Sequence, residues 1–293
     1  SLSMLLNAAV GWRAAFLGLA GVGLLLAPLV AFFAAEPRED RLPGSGPGDA
    51  TQDTSADKGV AAKEGAAKGV ASGAANENVV ASSVRAARTV LAQPGVPLLL
   101  AATAARFCAG FSIAVWNAPF FRGKFPLHQG EFAALNALVV AGGGCLSSLA
   151  GGLLADRVAG VVGRRGNMWV CAGGCLIAAP LFLLATSAGD FRVAMLFYLL
   201  QVLAAECWIG PTLSLLSSLA PARSRGVAQG IFAMMTLVGN AAPVVVSLLI
   251  PYFSLGGALQ RAVPGAYLLS ALLFLLAGDS IHQADARRGA AVR

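Results

Sequence analysis

Long runs of apolar residues divide this chain, and the short segments between them carry most of the charge. The clearest run extends from residue 14 to residue 35 and contains no charged side chain. A helix that crosses a bilayer needs about 20 mostly apolar residues, so this run predicts a membrane span. Six more apolar runs follow, at about residues 96–120, 131–155, 167–187, 193–219, 227–253 and 262–277. The pattern predicts an all-α integral membrane protein with seven transmembrane helices.

The segment between the first and second runs has a different composition. Ala, Gly, Ser, Asp and Lys dominate residues 36–92, with sequences such as AAKEGAAKGVASGAA. Large apolar side chains are too few there to offset the entropy cost of ordering the chain. We therefore predict a flexible linker over residues 37–94, a six-helix bundle over residues 95–280 and a tail over residues 281–293.

The first residues of the chain resemble a segment from within a longer protein. Residues 1–10, SLSMLLNAAV, resemble the end of an apolar helix and lack the basic start and cleavage site of a signal peptide. We expect residues 1–36 to hold the end of one helix and one complete further helix. We also expect the chain to be a fragment of a longer protein.

Composition and charge support the membrane interpretation. Of the 293 residues, 57% are hydrophobic and 12% are charged, against about 25% charged residues in ordinary soluble domains. The net charge of +7 does not indicate nucleic-acid binding, because the basic residues lie between the apolar runs and not in patches interleaved with aromatic residues.

The positions of the basic residues predict the orientation in the membrane. If the linker is cytoplasmic, strict alternation of the spans places 15 of the 21 Lys and Arg residues on that side and five on the other. Cytoplasmic segments of membrane proteins carry an excess of Lys and Arg. We therefore predict a multi-pass membrane protein with a cytoplasmic linker and a cytoplasmic C terminus, in either the plasma membrane or an endolysosomal membrane.

Several motifs, together with the layout of the spans, resemble one transporter family. GWRAAF at residues 11–16 and EPR at residues 36–38 resemble the start and the exit of the sixth helix in many members. GLLADR at residues 152–157 and GRR at residues 163–165 resemble a loop of the form Gly-x-x-x-Asp-Arg-x-Gly-Arg-Arg, with four additional residues between the two parts. The chain is identified as a member of the major facilitator superfamily. This resemblance implies the major facilitator fold, with helices six to twelve of an expected twelve present here.

Other motifs are similar to those of the Spinster-like branch of this superfamily. They are WNAPFFR at residues 116–122, ECWIGP at residues 206–211 and LAPARSRGVA at residues 219–228. The resemblance implies transport of lipids such as lysophospholipids or sphingoid phosphates. It also implies rocker-switch alternating access between two six-helix bundles, of which this chain holds the second complete.

Two charges lie within apolar runs and are the main candidates for the transport pathway. Arg106 is about 11 residues, roughly 16 Å, from the expected cytoplasmic end at Gly95, and Glu206 is about 14 residues, roughly 21 Å, from Ala220. A charge in mid-membrane costs about 2.5–3.5 kcal/mol even on insertion scales, so we predict that the two pair with each other. Arg106 could bind an anionic headgroup and Glu206 could carry a coupled proton, or the pair could be purely structural.

Weaker candidates surround these two charges. Asn117 and Gln201 are candidates for the substrate pathway, although hydrogen bonds between helices explain most such residues in membrane bundles. Trp116 could line the cavity or lie in the aromatic belt at the outer interface.

The resemblance also implies a gating loop. Asp156, near a helix terminus, and the arginines of the loop could latch one state of the transporter by ion pairs and helix-dipole contacts, whereas anchoring by positive charge is the simpler alternative. The loop residues are Gly152, Asp156, Arg157, Arg164 and Arg165.

Signals for catalysis, metals or cofactors are not recognised in the sequence. No G-x-x-x-x-G-K-[ST] motif occurs, so we expect transport driven by gradients and not by ATP. Cys171 and Cys175 share a helix face but have no His or acidic neighbour, so no metal site is predicted. We predict no enzyme activity and no cofactor.

The prediction for function is a secondary transporter of an amphipathic or anionic organic solute, such as a lysolipid, as a proton-coupled symporter or antiporter. The predicted partners are the small-molecule or lipid substrate, a proton and membrane lipids, without nucleic acid. Two alternatives stay open: a carrier of small organic anions, and a truncated membrane scaffold that transports nothing.

Overall fold

The structure of the chain is a computed structural model that describes residues 81–291 and seven residues nearer the start. The chain divides into two units, Ser1–Val79 and Val80–Arg293. In the first unit the described residues are all helical, and they are Arg13, Leu17, Gly18, Ala20, Gly21, Leu24 and Pro28. The predicted helix end at residues 1–10, the EPR motif and the linker up to residue 80 lie outside the described residues.

Every regular element over residues 81–291 is helical. A short helix covers residues 81–91. The helices that follow are α1 (Val96–Lys124), α2 (Gln129–Leu138), α3 (Gly144–Val162), α4 (Arg165–Ser187), α5 (Phe191–Ala205), α6 (Ile209–Leu219) and α7 (Arg225–Ala291). Single 3-10 turns lie at Pro126–His128, Glu206–Trp208 and Ala222–Ser224, and a π-helical segment, Val139–Gly143, joins α2 to α3.

The last helix consists of two segments joined by a kink. Ser254 has φ 60° and ψ 167°, a conformation that lies outside the helical region and is unusual for a residue with a side chain. It divides α7 into α7a, residues 225–253, and α7b, residues 255–291. Each segment exceeds the length of about 20 residues that a membrane span requires.

Five continuous helical stretches are long and apolar enough to cross a membrane: Val96–Lys124, Pro126–Val162, Arg165–Ser187, Phe191–Leu219 and Ala222–Ala290. The fifth contains the kink at Ser254 and therefore supplies two of the predicted spans. The six apolar runs that follow the linker thus correspond to six helical passes, and the predicted all-α membrane fold is confirmed.

The outer surface of the second unit is apolar. Large side chains such as Leu149, Leu237 and Leu248 are more than 60% exposed. A water-soluble protein seldom exposes contiguous apolar surface of this kind, whereas hydrocarbon accommodates it. The outward face therefore fits a lipid environment.

The centre of the bundle forms where α1 meets both segments of α7. α1 packs extensively along α7, and α4 packs against α5 and α7. The Ser270 hydroxyl on α7b donates to the carbonyl of Ala102 at 2.9 Å, and the Trp116 indole donates to the carbonyl of Pro243 on α7a, also at 2.9 Å. α1 is therefore fixed by hydrogen bonds to both segments.

Helix ends differ from the sequence prediction at the loop after residue 155. α3 continues to Val162, so Asp156 lies inside a helix and not near its terminus. The residues that follow Arg157 are mostly apolar, with the sequence VAGVV, and they continue the helix. Gly163 ends it with φ 79° and ψ −168°, a positive-φ conformation that glycine adopts at little cost.

Two further helix boundaries differ from the sequence prediction because of packing. Residues 81–91 are helical although they fall in the predicted linker, and Val90 in this helix is fully buried in the core. α7b extends through most of the predicted tail, where Ile281 is also buried. Burial of these two apolar side chains stabilises helix beyond the apolar runs.

Candidate functional site

The centre of the site is a break in the helix that carries Glu206. α5 ends at Ala205, a 3-10 turn covers Glu206–Trp208, and α6 begins at Ile209. Pro211 explains the break, because it has no N–H to donate to the carbonyl of Cys207 four residues earlier and its ring clashes with that carbonyl. The break places a charged side chain at the end of α5.

Arg106 on α1 and Glu206 form an ion pair at this break. Nη2 of Arg106 lies 2.8 Å from Oε1 of Glu206, and the two side chains are 2% and 33% exposed. The pairing predicted from equal depth is therefore present in the structure. The pair is asymmetric, because the cation is enclosed while a third of the carboxylate side chain is open to its surroundings.

The guanidinium also binds the backbone at the end of α5. Nη2 and Nε of Arg106 donate to the carbonyl of Ala205 at 2.9 and 3.3 Å. The last carbonyls of a helix lack partners within the helix and carry partial negative charge. Arg106 thus meets two acceptors, a carboxylate and a helix end, and both favour its positive charge.

Two aromatic rings complete the surroundings of Arg106. Its Cζ atom lies 5.4 Å from the ring centroid of Trp208 and 5.0 Å from that of Tyr267. Contacts of this length fall within the range of cation–π attraction, which is stronger where water is excluded. Sequence reasoning did not select Tyr267 for the site, although a lone tyrosine within an apolar run of α7b was the available signal.

One edge of the guanidinium has room beside it. Nη1 of Arg106 has no hydrogen-bond partner among the residues that the structure describes. Gly110 lies next to this nitrogen, and a Cβ atom at Gly110 would fall 3.2 Å from it. Because Gly110 has no side chain at this position, Nη1 of the enclosed guanidinium keeps a donor that no described residue of the bundle accepts.

Buried amides extend the polar region away from the ion pair. Nε2 of Gln201 donates to the Tyr267 hydroxyl at 2.7 Å. Oε1 of Gln201 and both amide atoms of Asn117 are buried and have no partner among the described residues. Buried amides without partners are rare and indicate a position for water or ligand. Gln201 is thereby linked to Arg106 through Tyr267, whereas no hydrogen bond within residues 81–291 links Asn117 to this group.

The predicted gating residues lie elsewhere in the bundle. Arg164 forms a 3.8 Å ion pair with Asp285 of α7b, and Arg165 stacks on Trp169 with Cζ 4.9 Å from the ring centroid. Asp156 and Arg157 are exposed and Gly152 is half-buried. Among residues 81–291 no hydrogen bond or ion pair links these side chains to Arg106 or Glu206.

Comparison with known proteins assigns the family. The profile of the Major Facilitator Superfamily matches residues 1–243. The chain belongs to the major facilitator superfamily. This result confirms the family predicted from the motifs.

Two relatives of this superfamily member are informative. A curated protein of Mycolicibacterium smegmatis, described as an MFS-type efflux pump, is 25% identical over 281 residues, which cover 93% of this chain and 58% of that protein. A solved structure, a bacterial homologue of the human lysosomal transporter Spinster in an inward-facing and unoccupied conformation, matches with a TM-score of 0.55 at 17% identity. That match covers 93% of this chain and 60% of the other and shows a shared fold. The chain thus spans about three fifths of the length of these relatives.

Proposed function

We propose that this chain forms the second six-helix bundle of a secondary transporter for an amphipathic or anionic organic solute. The observation that carries the proposal is the ion pair of a buried arginine with a partly exposed glutamate at a helix break. Ionisable groups within a membrane are costly, and they are usually retained for substrate, ion or proton pathways. Broken helices commonly form transporter sites near the bilayer midplane.

Arg106 is the proposed contact for the negative group of the substrate. Its guanidinium is held by the Ala205 carbonyl, Glu206 and two aromatic rings, while Nη1 stays open beside Gly110. A planar guanidinium that is already positioned binds carboxylate or phosphate oxygens with little further loss of side-chain entropy. The apolar surroundings fit the non-polar part of an amphipathic solute.

Glu206 is the proposed carrier of a coupled proton. Protonation of Glu206 would replace the ion pair with a weaker hydrogen bond between the charged guanidinium and a neutral carboxyl group, and so free Nη2 of Arg106 for another anion. Because the carboxylate side chain is one-third exposed, a proton could reach it without disruption of the packing around Arg106. Competition between Glu206 and substrate for one guanidinium provides a coupling mechanism.

The direction of transport and the type of solute have two candidate answers. Similarity to a protein described as an efflux pump favours export of a small molecule, whereas the Spinster-like motifs of the sequence favour a lysolipid or a related amphipathic anion. In either case we propose that Asp156 and Arg157 latch one conformation. We also propose a cytoplasmic position for the turn between α3 and α4.

Proteoliposomes made with the full-length product of the gene test this function. We expect labelled lysophospholipid to accumulate under an imposed pH gradient, and to do so more strongly than labelled small organic acids. Accumulation of the organic acids alone would identify a small-anion carrier. Absence of flux for both probes would contradict the proposed transporter and favour a membrane scaffold.

A further inference from the structure

α3 and α4 enclose a groove on the outer surface of the bundle, with a volume of about 450 Å³. On α3 its wall runs from Ser147 to Val158, and on α4 from Trp169 to Ile177. Eleven residues of helix correspond to about 16 Å, which is roughly half of the 30 Å hydrocarbon core of a bilayer. The groove therefore has the length of one membrane leaflet.

Small residues create the groove and apolar residues line it. Cys207 forms part of the floor of the groove. Gly151 lies against its backbone, and a Cβ atom at Gly151 would approach Cα of Cys207 to 2.5 Å. α3 can therefore pack against the floor only because Gly151 has no side chain. Gly173 on the opposite wall faces open space, with no atom within 4 Å of a Cβ position. Leu154 and Val158 supply apolar wall surface. A slot of this shape accommodates a hydrocarbon chain.

One end of the groove carries a net positive charge, because Arg157 and Arg165 lie there with the single carboxylate of Asp156, which forms no ion pair with either arginine within residues 81–291. Arg165 stacks on Trp169, which lines the groove. Nε of Arg165 is buried without a hydrogen-bond partner, and no ion pair includes this arginine within residues 81–291. Arg157 lies one turn beyond Leu154 on α3 and is exposed. The neighbouring Arg164, in contrast, is paired with Asp285.

We propose that this groove binds a membrane phospholipid with an anionic headgroup. One acyl chain occupies the slot between α3 and α4, and the phosphate group accepts hydrogen bonds from Arg165, with Arg157 adding positive charge. Charge complementarity at one end and an apolar wall along the remainder favour this occupant over an apolar helix or a neutral molecule. The site is separate from the proposed solute contact at Arg106, and its test requires no transport.

Fluorescence of Trp169 reports occupancy directly. The full-length protein is reconstituted in mixtures of phosphatidylglycerol and phosphatidylcholine, in which either one or the other lipid carries brominated acyl chains that quench tryptophan. The contribution of Trp169 is the difference between the wild-type protein and the Trp169→Phe variant. We expect that contribution to show a preference of about fivefold for phosphatidylglycerol, since one basic residue near a membrane surface contributes on that scale.

Matched variants test the headgroup contact and the acyl-chain contact separately. Arg165→Gln should reduce the preference by at least half and leave only the contribution of Arg157, while Arg225→Gln, at another exposed arginine, should leave it unchanged. Gly173→Leu should fill the slot and lower quenching of Trp169 by both lipids. Gly265→Leu, at an exposed glycine of α7b that also faces open space, should have no effect.

Three outcomes would overturn the proposal. They are equal quenching by the two brominated lipids in the wild-type protein, an undiminished preference in Arg165→Gln, and absence of Trp169 quenching by either lipid. Should Arg165→Gln lower the yield of folded protein, Arg165→Lys serves in its place together with added salt. The charge-preserving variant should keep a preference for phosphatidylglycerol that weakens as the salt concentration rises.

Discussion

Two arginine–carboxylate pairs in the same bundle differ in burial and in geometry. Arg106 and Glu206 are 2.8 Å apart, with the arginine 2% exposed. Arg164 and Asp285 are 3.8 Å apart and are 46% and 38% exposed. The first pair joins α1 to the break after α5, and the second joins the start of α4 to α7b. Both connect distant parts of the sequence, but only the first has an enclosed member, Arg106.

The comparison teaches which pair the fold depends on. An enclosed charge must be compensated within the protein, and Arg106 is compensated by a carboxylate, a helix-end carbonyl and two rings. Exposed pairs are screened by water and salt and contribute little. The enclosed pair therefore combines a structural requirement with a potential for function, whereas the exposed pair adds only modest stability. The following variants test this contrast, from the largest expected effect to the smallest.

Removal of the enclosed cation should have the largest effect. Arg106→Ala leaves the Glu206 carboxylate and the Ala205 carbonyl without their partner. Loss of one member of a fully buried pair costs about 3–5 kcal/mol, and we expect less than that here because Glu206 is one-third exposed. We expect a large fall in the thermal unfolding midpoint of the purified protein, and loss of transport. Arg164→Ala provides the control, and an equal fall in that variant would contradict the contrast between the pairs.

Replacement of Arg106 by a residue that keeps the positive charge but lacks the planar guanidinium should affect substrate binding more than stability. Arg106→Lys keeps a cation for Glu206 but cannot donate to Ala205, Glu206 and substrate at once, because an ammonium group lacks the geometry of a guanidinium. We expect at least about a tenfold weaker apparent affinity for an anionic solute, a loss near 1.4 kcal/mol, in the concentration dependence of proteoliposome uptake. Unaltered affinity would indicate that the role of Arg106 is purely structural.

A smaller effect is expected from crowding of the open edge of the guanidinium. Gly110→Ala places a methyl group 3.2 Å from Nη1 of Arg106, closer than a relaxed contact, while the ion pair remains in place. We expect a severalfold rise in the half-saturating concentration of substrate with little change in the unfolding midpoint. The same substitution at Gly123, also on α1 and without atoms within 4 Å of a Cβ position, should leave both quantities unchanged.

The exposed pair should respond least. Asp285→Asn removes the carboxylate partner of Arg164, and exposed pairs are worth about 0–1 kcal/mol. We expect a small shift in the unfolding midpoint, and we expect that shift to vanish in high salt because screening already weakens the pair. A large effect that persists in high salt would show that this pair also acts as a structural latch.

The sequence was sufficient to predict the depth of the charges but not their surroundings. Helix rise is constant, so residue counts alone place Arg106 and Glu206 at comparable distances from the ends of their runs. The rotation of each helix about its axis does not follow from such counts. Helices that are apolar on every side give no amphipathic pattern. The lone tyrosine in its apolar run was visible in the sequence, but the direction in which Tyr267 and Trp208 face was not.

Backbone contacts and helix ends were also beyond sequence reasoning. The carbonyl of Ala205 became an acceptor for Arg106 because the helix breaks there, and any residue type would have supplied the same atom. The loop motif indicated a helix end near Asp156, but apolar residues carry α3 to Val162. Charges mark where a chain leaves the membrane, and a helix is free to continue beyond that point.

The most direct test of the central role of the Arg106–Glu206 pair compares two modes of transport in the Glu206→Gln variant. The amide still accepts a hydrogen bond from Arg106 but cannot exchange a proton near neutral pH. We predict that accumulation of labelled solute driven by a pH gradient is abolished, while counterflow exchange without a gradient is largely retained. Glu131→Gln, at an exposed carboxylate, should behave as the wild-type protein in both assays. Undiminished pH-driven accumulation in Glu206→Gln would contradict the account.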